Sequence, residues 1–383
     1  MTVADGWRYD LLIEHGTVVD GSSAPGIAAS VGIRDGLLEM PATDERAGRT
    51  IDATGLVVAP GFIDLHSHAG LMIFADPRHE PKVRQGVTTE VIGVDGLSYA
   101  PMPTRADLAA LVEMNAGLDG APAEAPGDWL SVEHYLDGLD ALRPSVNLAF
   151  LVGNSALRIG AIGWEEVEAG PAQVANMRAM LGEAMEEGAI GLSSGLDYPP
   201  GAYASTDELA ALTAEAAAHG GFYHTHVRYP FGDRYLDPFR EAIEIGRRGK
   251  GPVHITHFYH RQTYPGGPGP MLALVDDARA EGLDVTFDSY PYEWASTRLL
   301  IMIPPWVQAG GPGPTKERLA DAAVRERIRR ELTERGVLFA GRGAWHDVRL
   351  GAFANPELLR WEGRTLGEVI DERGEDPVDV LCD

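Results

Sequence analysis

A single cysteine, Cys382, is the whole thiol complement of this 383-residue chain. One thiol cannot form an intramolecular disulfide, so nothing here calls for an oxidising compartment. Positive charge is also scarce: 32 Lys and Arg stand against 57 Asp and Glu, a net charge of −25. Nucleic-acid backbones and anionic membrane surfaces need clustered cations, so neither is an expected partner. No apolar run is long enough to span a bilayer. The first six residues lack the basic cluster and apolar stretch of a secretory signal. What is present is a hydrophobic fraction of 44%, enough for a globular core. A cytoplasmic protein is expected, with its oligomeric state open.

Residues 8–58 hold short strand-like runs cut by Gly and Asp, with a turn near His15-Gly16. They predict a small antiparallel sheet. The pattern changes at Ala59-Pro60-Gly61. Beyond it, apolar strand-like runs occur at 62–66, 87–93, 146–152, 189–193, 222–226, 253–257 and 283–288. Ala- and Glu-rich helical stretches lie between them at 177–187, 207–219, 237–249 and 271–282. This alternation predicts crossover units and an α/β fold with a parallel sheet covered on both faces. Seven strands are one short of a closed eight-stranded barrel. Residues 104–129 read as a loop with one helix, and 295–335 as an insertion, irregular and then helical. A further strand-like run at 337–341 is followed by helical stretches at 366–371 and 378–381.

The histidines carry the chemistry. His66 and His68 lie two apart at the end of the first run. Residues i and i+2 of an extended segment project to one face, so two imidazoles can share an ion. His226 and His257 end the fifth and sixth runs. In a parallel barrel all C-terminal strand ends converge on one rim. Four imidazoles from three strands can therefore meet there, and imidazole suits zinc and its neighbours. Asp95 closes the second run in Val94-Asp95-Gly96. It reads either as a carboxylate ligand bridging two ions or as a turn residue, since Asp-Gly is a common turn dipeptide. His224, His254 and His260 read as polar surface or loop residues.

Pro60-Gly61-Phe62-Ile63-Asp64-Leu65-His66-Ser67-His68 resembles the first-strand metal motif of the amidohydrolase superfamily. Other segments are similar to the N-acyl-D-amino-acid deacylase (D-aminoacylase) family. These are 82–89, 191–201, Thr225-His226-Val227-Arg228, Ile255-Thr256-His257 and Tyr290-Pro291-Tyr292. The resemblance keeps its order from about residue 10 to the end. It implies a metal-dependent (β/α)8 TIM barrel over 60–383, with the eighth strand missing. Beside it, residues 1–59 would supply the N-terminal part of a small β-sandwich domain. It also implies Zn2+, one or two ions, and hydrolysis of a linear amide such as an N-acyl-D-amino acid. His66 and His68 match one metal position, and His226 and His257 the tighter one.

Three departures from the family stand out. Asp95 occupies the place of a metal-binding cysteine, which moves preference away from soft metals. Tyr259 stands where typical members carry a lysine for the substrate carboxylate, and it can donate a hydrogen bond but brings no charge. No segment resembles the eighth-strand aspartate that serves the family as general base. The chain is therefore expected to be part of a longer protein and weakly active or inactive alone. Asp288, ending the seventh run, is the remaining candidate for the catalytic role, or else a structural strand-end carboxylate. Tyr290, Tyr259 and Arg228 are the expected substrate-binding residues, though Tyr290 can equally belong to a packed turn. Two alternatives remain. One is a cyclic amidohydrolase of dihydroorotase or hydantoinase type, disfavoured because the fourth run has no lysine to be carboxylated. The other is a metal-binding scaffold that has lost turnover.

Overall fold

Strands Tyr9–Val18 (β1), Ile27–Arg34 (β2), Leu37–Glu39 (β3), Ala47–Asp52 (β4) and Val57–Val58 (β5) form one sheet. They belong to a computed structural model that describes residues 8–40, 46–120, 129–229, 234–261, 264–335, 344–353 and 355–383. β2 runs antiparallel to β1 and β3, whereas β4 and β5 run parallel to β1. The expected antiparallel sheet is thus a mixed one, and the reason lies at His15-Gly16. That dipeptide is no turn but a bulge inside β1, with His15 at φ 61° and the register slipping between Ile13 and Gly16. A bulge bends a strand without ending it. β1 stays long enough for β4 to pair with its first part and β5 with its last two residues.

The chain divides into two compact units, Met1–Phe62 and Ile63–Asp383. The second holds the alternating pattern. Strands Phe62–Asp64 (β6), Val87–Ile92 (β7), Asn147–Gly153 (β8), Gly191–Gly195 (β9), Phe222–His226 (β10), Val253–Ile255 (β11) and Val285–Phe287 (β12) lie in chain order across a seven-stranded sheet. From β7 to β12 every neighbouring pair is parallel. The sheet is strongly curled: His224 on β10 donates from Nε2 to the carbonyl of Leu65, just past β6, at 3.1 Å. This is the barrel-type sheet of an α/β fold, and the small N-terminal sheet belongs to the other unit.

The helices between strands follow from apolar stripes. In Thr206–Ala218, Leu209, Leu212, Thr213 and Ala216 are buried, an i, i+3, i+4, i+7 pattern. Ser205 caps this helix by accepting from the Glu208 N–H. Phe239, Ala242, Ile243 and Gly246 repeat the stripe in Asp237–Gly249. Packed against Ile92, Phe150, Leu192, Tyr223, Val253 and Val285 of the strands, they form one core. Each fully buried large apolar side chain contributes about 1.5–3 kcal/mol.

After β12 come the 3-10 turns Leu299–Met302 and Pro305–Gln308 and the helices Pro312–Ala320 and Ala322–Arg335. Leu366–Arg373 and Pro377–Cys382 are helical. The run at 337–341 lies outside the described residues. Among the described residues no helix is long and apolar enough to cross a membrane.

Candidate metal centre

The H-x-H segment is held from both sides. Asp64, the last residue of β6, accepts the main-chain N–H of His66 at 2.9 Å and pairs with Lys82. Ser67 donates its main-chain N–H to Val91 on β7, and its hydroxyl turns away from the two imidazoles to the fully buried Glu90. With Ser67 anchored on one face, His66 and His68 are presented together on the other.

Asp95 follows β7 and is itself in the left-handed region, φ 54°, between Gly93 at 76° and Gly96 at 70°. Asp is among the few residues with a side chain that occupy this region. Ser193 of β9 staples the turn, accepting from Gly96 N–H and donating to the Gly93 carbonyl. The turn also presses on β9, where a Cβ at Gly195 would sit 1.9 Å from the Asp95 carbonyl oxygen.

The result is a convergence on one atom. His66 Nε2, His68 Nε2, His226 Nδ1 and His257 Nε2 stand 3.4, 3.5, 3.6 and 3.9 Å from Asp95 Oδ2. Two donors bound about 2.0–2.1 Å from a tetrahedral ion lie roughly 3.3 Å apart, so these are spacings of ligands that share ions. His66, His68 and Asp95 form one cluster that could hold a metal, and Asp95, His226 and His257 form another. His66 Nε2 and His226 Nδ1 are buried with no hydrogen-bond partner. The residues present therefore fit a divalent metal, with Asp95 common to both positions.

The far nitrogens of the imidazoles are also engaged. His68 Nδ1 reaches Asp119 at 2.7 Å, and Asp119 accepts from Tyr99 OH at 2.5 Å. His226 Nε2 reaches Asp197 at 3.1 Å, and His66 Nδ1 reaches Asp288 at 3.1 Å. His257 Nδ1 instead meets the Thr256 hydroxyl at 2.9 Å. Such partners fix the tautomer and raise the basicity of a metal-binding imidazole. Asp119 and Asp197 escaped the sequence reading. Asp119 ends the helix Arg105–Asp119 in a region without strand pattern, and nothing local ties it to His68.

Charge follows this layout. Burial works against a charge on His66, but Asp95 and Asp288 outweigh it and hold the pKa up at about 10. Burial is likewise overcome at His68 by Asp119 and Asp95, leaving it at about 9. Burial pushes His257 down to about 3, and the neighbouring His226 and His66 add to the effect. Burial would raise Asp95, yet His66 and His257 keep its carboxyl well below the usual range. Four carboxylates thus face four imidazoles in a buried space, and with the imidazoles neutral, as metal binding requires, two divalent ions would balance that charge.

The remaining predicted residues fall as follows. Asp288 has both oxygens engaged: Oδ2 faces His66 Nδ1 and, at 3.2 Å, His254 Nε2, while Oδ1 accepts the His257 N–H at 2.9 Å. Burial raises its pKa, but His254 and His66 pull it far below the ordinary range. Tyr259 and Tyr290 share a hydroxyl contact of 3.2 Å, and the Tyr290 ring is 5.9 Å from that of His257. Arg228 is committed elsewhere, donating to the Ala202 and Ala204 carbonyls at 2.6 and 2.8 Å and pairing with Glu241. His224 and His254 are buried, not surface residues, because both project from strands into the curl of the sheet. His260 lies against Tyr264, ring centroids 5.9 Å apart.

A curled parallel sheet with an H-x-H segment and further imidazoles at its C-terminal rim defines a barrel-rim metal-site protein. The chain belongs to the amidohydrolase family, whose model matches residues 49–338. Among its relatives are proteins named as deacylases of N-acyl-D-amino acids. It is 37% identical over 298 residues to an N-acyl-D-glutamate deacylase of Alcaligenes xylosoxydans xylosoxydans, covering 76% of this chain and 59% of the relative. A D-aminoacylase of the same organism is 38% identical over 307 residues, covering 78% and 60%. The chain thus spans about three fifths of the length of these curated relatives. A crystal structure of N-acyl-D-glutamate deacylase from Bordetella bronchiseptica, with zinc and a phosphonate inhibitor, superposes with a TM-score of 0.76 at 30% identity. It covers 97% of this chain and 69% of that one. A D-aminoacylase structure described by its binuclear metal centre gives 0.73 at 32% identity, with the same coverages.

Proposed function

We propose that this rim holds one or two zinc ions and serves the hydrolysis of a linear amide, an N-acyl-D-amino acid or a related N-acyl compound, in the cytoplasm. The observation that carries the proposal is the approach of four imidazole nitrogens to within 3.4–3.9 Å of one Asp95 oxygen. The names of the relatives support the substrate class.

His66 and His68 would hold one ion and His226 and His257 the other, with Asp95 between them. A divalent ion there supplies Lewis-acid polarisation of a carbonyl and activation of water near neutral pH. The protein's own part is orientation. Asp119, Asp197 and Asp288 keep His68, His226 and His66 in one tautomer each. Asp288, with both oxygens taken and its pKa far down, is assigned to aligning His66 and His257 rather than to proton transfer. Tyr259 and Tyr290, next to His257, are assigned to donating hydrogen bonds to the substrate. Arg228 braces the Ala202–Ala204 backbone and leaves that set.

The test is metal analysis after reconstitution, followed by a panel of N-acyl-D-, N-acyl-L- and cyclic amides. Bound metal is expected, and whatever amino acid is released is expected to come from the D-substrates. Absence of metal binding overturns the proposal; metal without turnover favours a scaffold, and cyclic preference favours the hydantoinase-like reading.

A further inference from the structure

We propose that His254 is a positioning residue of the metal centre, holding Asp288 and through it both His66 and His257. This rests on the metal-dependent reading above, and its test has a readout separate from turnover.

The argument starts from strand register. Ser193 of β9, His224 of β10, His254 of β11 and Thr286 of β12 are successive partners, one row across the sheet. His226 and Asp288 lie two residues further along their strands, in the row that carries the metal centre. The inward rows of a closed barrel are dominated by branched aliphatic side chains. Here the row directly beneath the ligands is polar on these four strands, and Ser193, His224 and His254 are buried. Buried polar groups cost free energy unless they are hydrogen-bonded, so such a row needs a reason.

Hydrogen-bond chemistry supplies it. An ionised carboxylate only accepts, so His254 Nε2, 3.2 Å from Asp288 Oδ2, must carry the ring proton. Nδ1 is then the acceptor for the Thr286 hydroxyl at 2.8 Å. Both ring nitrogens are determined and the ring cannot flip without losing a bond. The His224 ring stacks on it at 5.0 Å and 19°, itself tied to the Leu65 carbonyl. The same Asp288 oxygen accepts from His66 Nδ1, so His66 Nε2 is the nitrogen directed at Asp95. The other oxygen accepts the main-chain N–H of His257, which sits in the left-handed region at φ 53°. One carboxylate therefore sets two ligands from two strands, and His254 is the side chain that stops it from turning away.

The experiment compares His254→Leu, His254→Gln and His224→Leu with the wild type. Zinc affinity is measured by competition with a chromophoric chelator, the Co2+ absorption spectrum is recorded, and folding is checked by circular dichroism. The leucine variant is expected to lose about 10- to 100-fold in affinity, the usual cost of an outer-sphere change, with an altered Co2+ spectrum. Glutamine can still donate to Asp288 and is expected to restore most of the affinity. His224→Leu, which removes the stack on His254 and the bond to the Leu65 carbonyl beside His66 but no hydrogen bond to Asp288, is expected to lose clearly less than His254→Leu. A leucine variant with wild-type affinity and spectrum overturns the proposal, as does equal loss in the glutamine variant. Should the leucine variant not fold, Thr286→Val, which releases His254 Nδ1, replaces it under the same criterion. A wild type that binds metal without hydrolysing amides overturns the deacylase reading and leaves this one standing; a wild type that binds none overturns both.

Discussion

His66 Nδ1 and Asp288 Oδ2 lie 3.1 Å apart, although their strands, β6 and β12, are the two opposite edges of a seven-stranded sheet. Six interstrand spacings laid flat would separate those edges by roughly 29 Å. The curl brings them within hydrogen-bond distance at the C-terminal rim, where the candidate metal ligands gather. The same curvature that forms a barrel assembles the site, so fold and chemistry stand or fall together here.

Metal should therefore stabilise the fold. Anything that binds only the native state adds about 2.7 kcal/mol at a hundredfold excess over its Kd. Chelator-treated protein is expected to melt several degrees lower than protein given Zn2+, and the difference should vanish when chelator is returned. Differential scanning calorimetry measures it, and identical melting curves would remove the metal centre from the account.

Asp95→Asn keeps a residue that accepts a left-handed backbone and removes only the charge. Zinc affinity should fall by more than the roughly 10- to 100-fold typical of outer-sphere substitutions, because both clusters share this carboxylate. Asp95→Cys should instead shift preference toward Cd2+ over Mn2+, as thiolates favour softer ions. Competition titrations with the three metals decide both points; an Asn variant with wild-type affinity means the carboxylate is no ligand.

Gly195→Ala tests the close approach of β9 to the Asp95 turn. The added Cβ would meet the Asp95 carbonyl oxygen at 1.9 Å and its carbon at 2.7 Å, and backbone cannot step aside cheaply. A loss of about 1–3 kcal/mol in urea unfolding is expected, together with weaker metal binding. Gly313→Ala, in the helix Pro312–Ala320 with nothing near its Cβ, is the control. It should be neutral or stabilising by up to about 1 kcal/mol.

Arg158 and Glu208 form an ion pair at 2.5 Å with both side chains buried, and Arg158 also donates to the Val167 carbonyl. Burial raises the Glu208 pKa against the opposing pull of Arg158. Arg158→Met alone should cost about 3–5 kcal/mol by stranding the carboxylate, while Arg158→Met with Glu208→Leu should recover most of it. Urea denaturation of the two singles and the double measures this, and strict additivity would show that the pair is uncoupled.

Much of this was legible in the residues. All seven strands of the curled sheet lie where apolar runs predicted them; β9 to β11 are buried, whereas the edge strands β6 and β12 expose Phe62, Ile63 and Phe287. His66, His68, His226 and His257 stood at predicted strand ends, Asp95 was open between ligand and turn residue, and the structure brings the five side chains together. The errors have separate causes. His15-Gly16 looked like a turn because a bulge and a turn draw on the same residues. His224 and His254 looked like surface residues because the curl that buries them is not a local property.

Composition and periodicity follow from interactions along a few residues of chain, and these were enough to specify strands, helices and which side chains could bind a metal. They carry no record of partners far apart in sequence. Asp119 meets His68 across 51 positions and Asp288 meets His66 across 222, with no pattern linking either pair. Which carboxylate steadies which imidazole was settled only when the strands packed, because hydrogen bonds form between neighbours in space and the chain order does not name them.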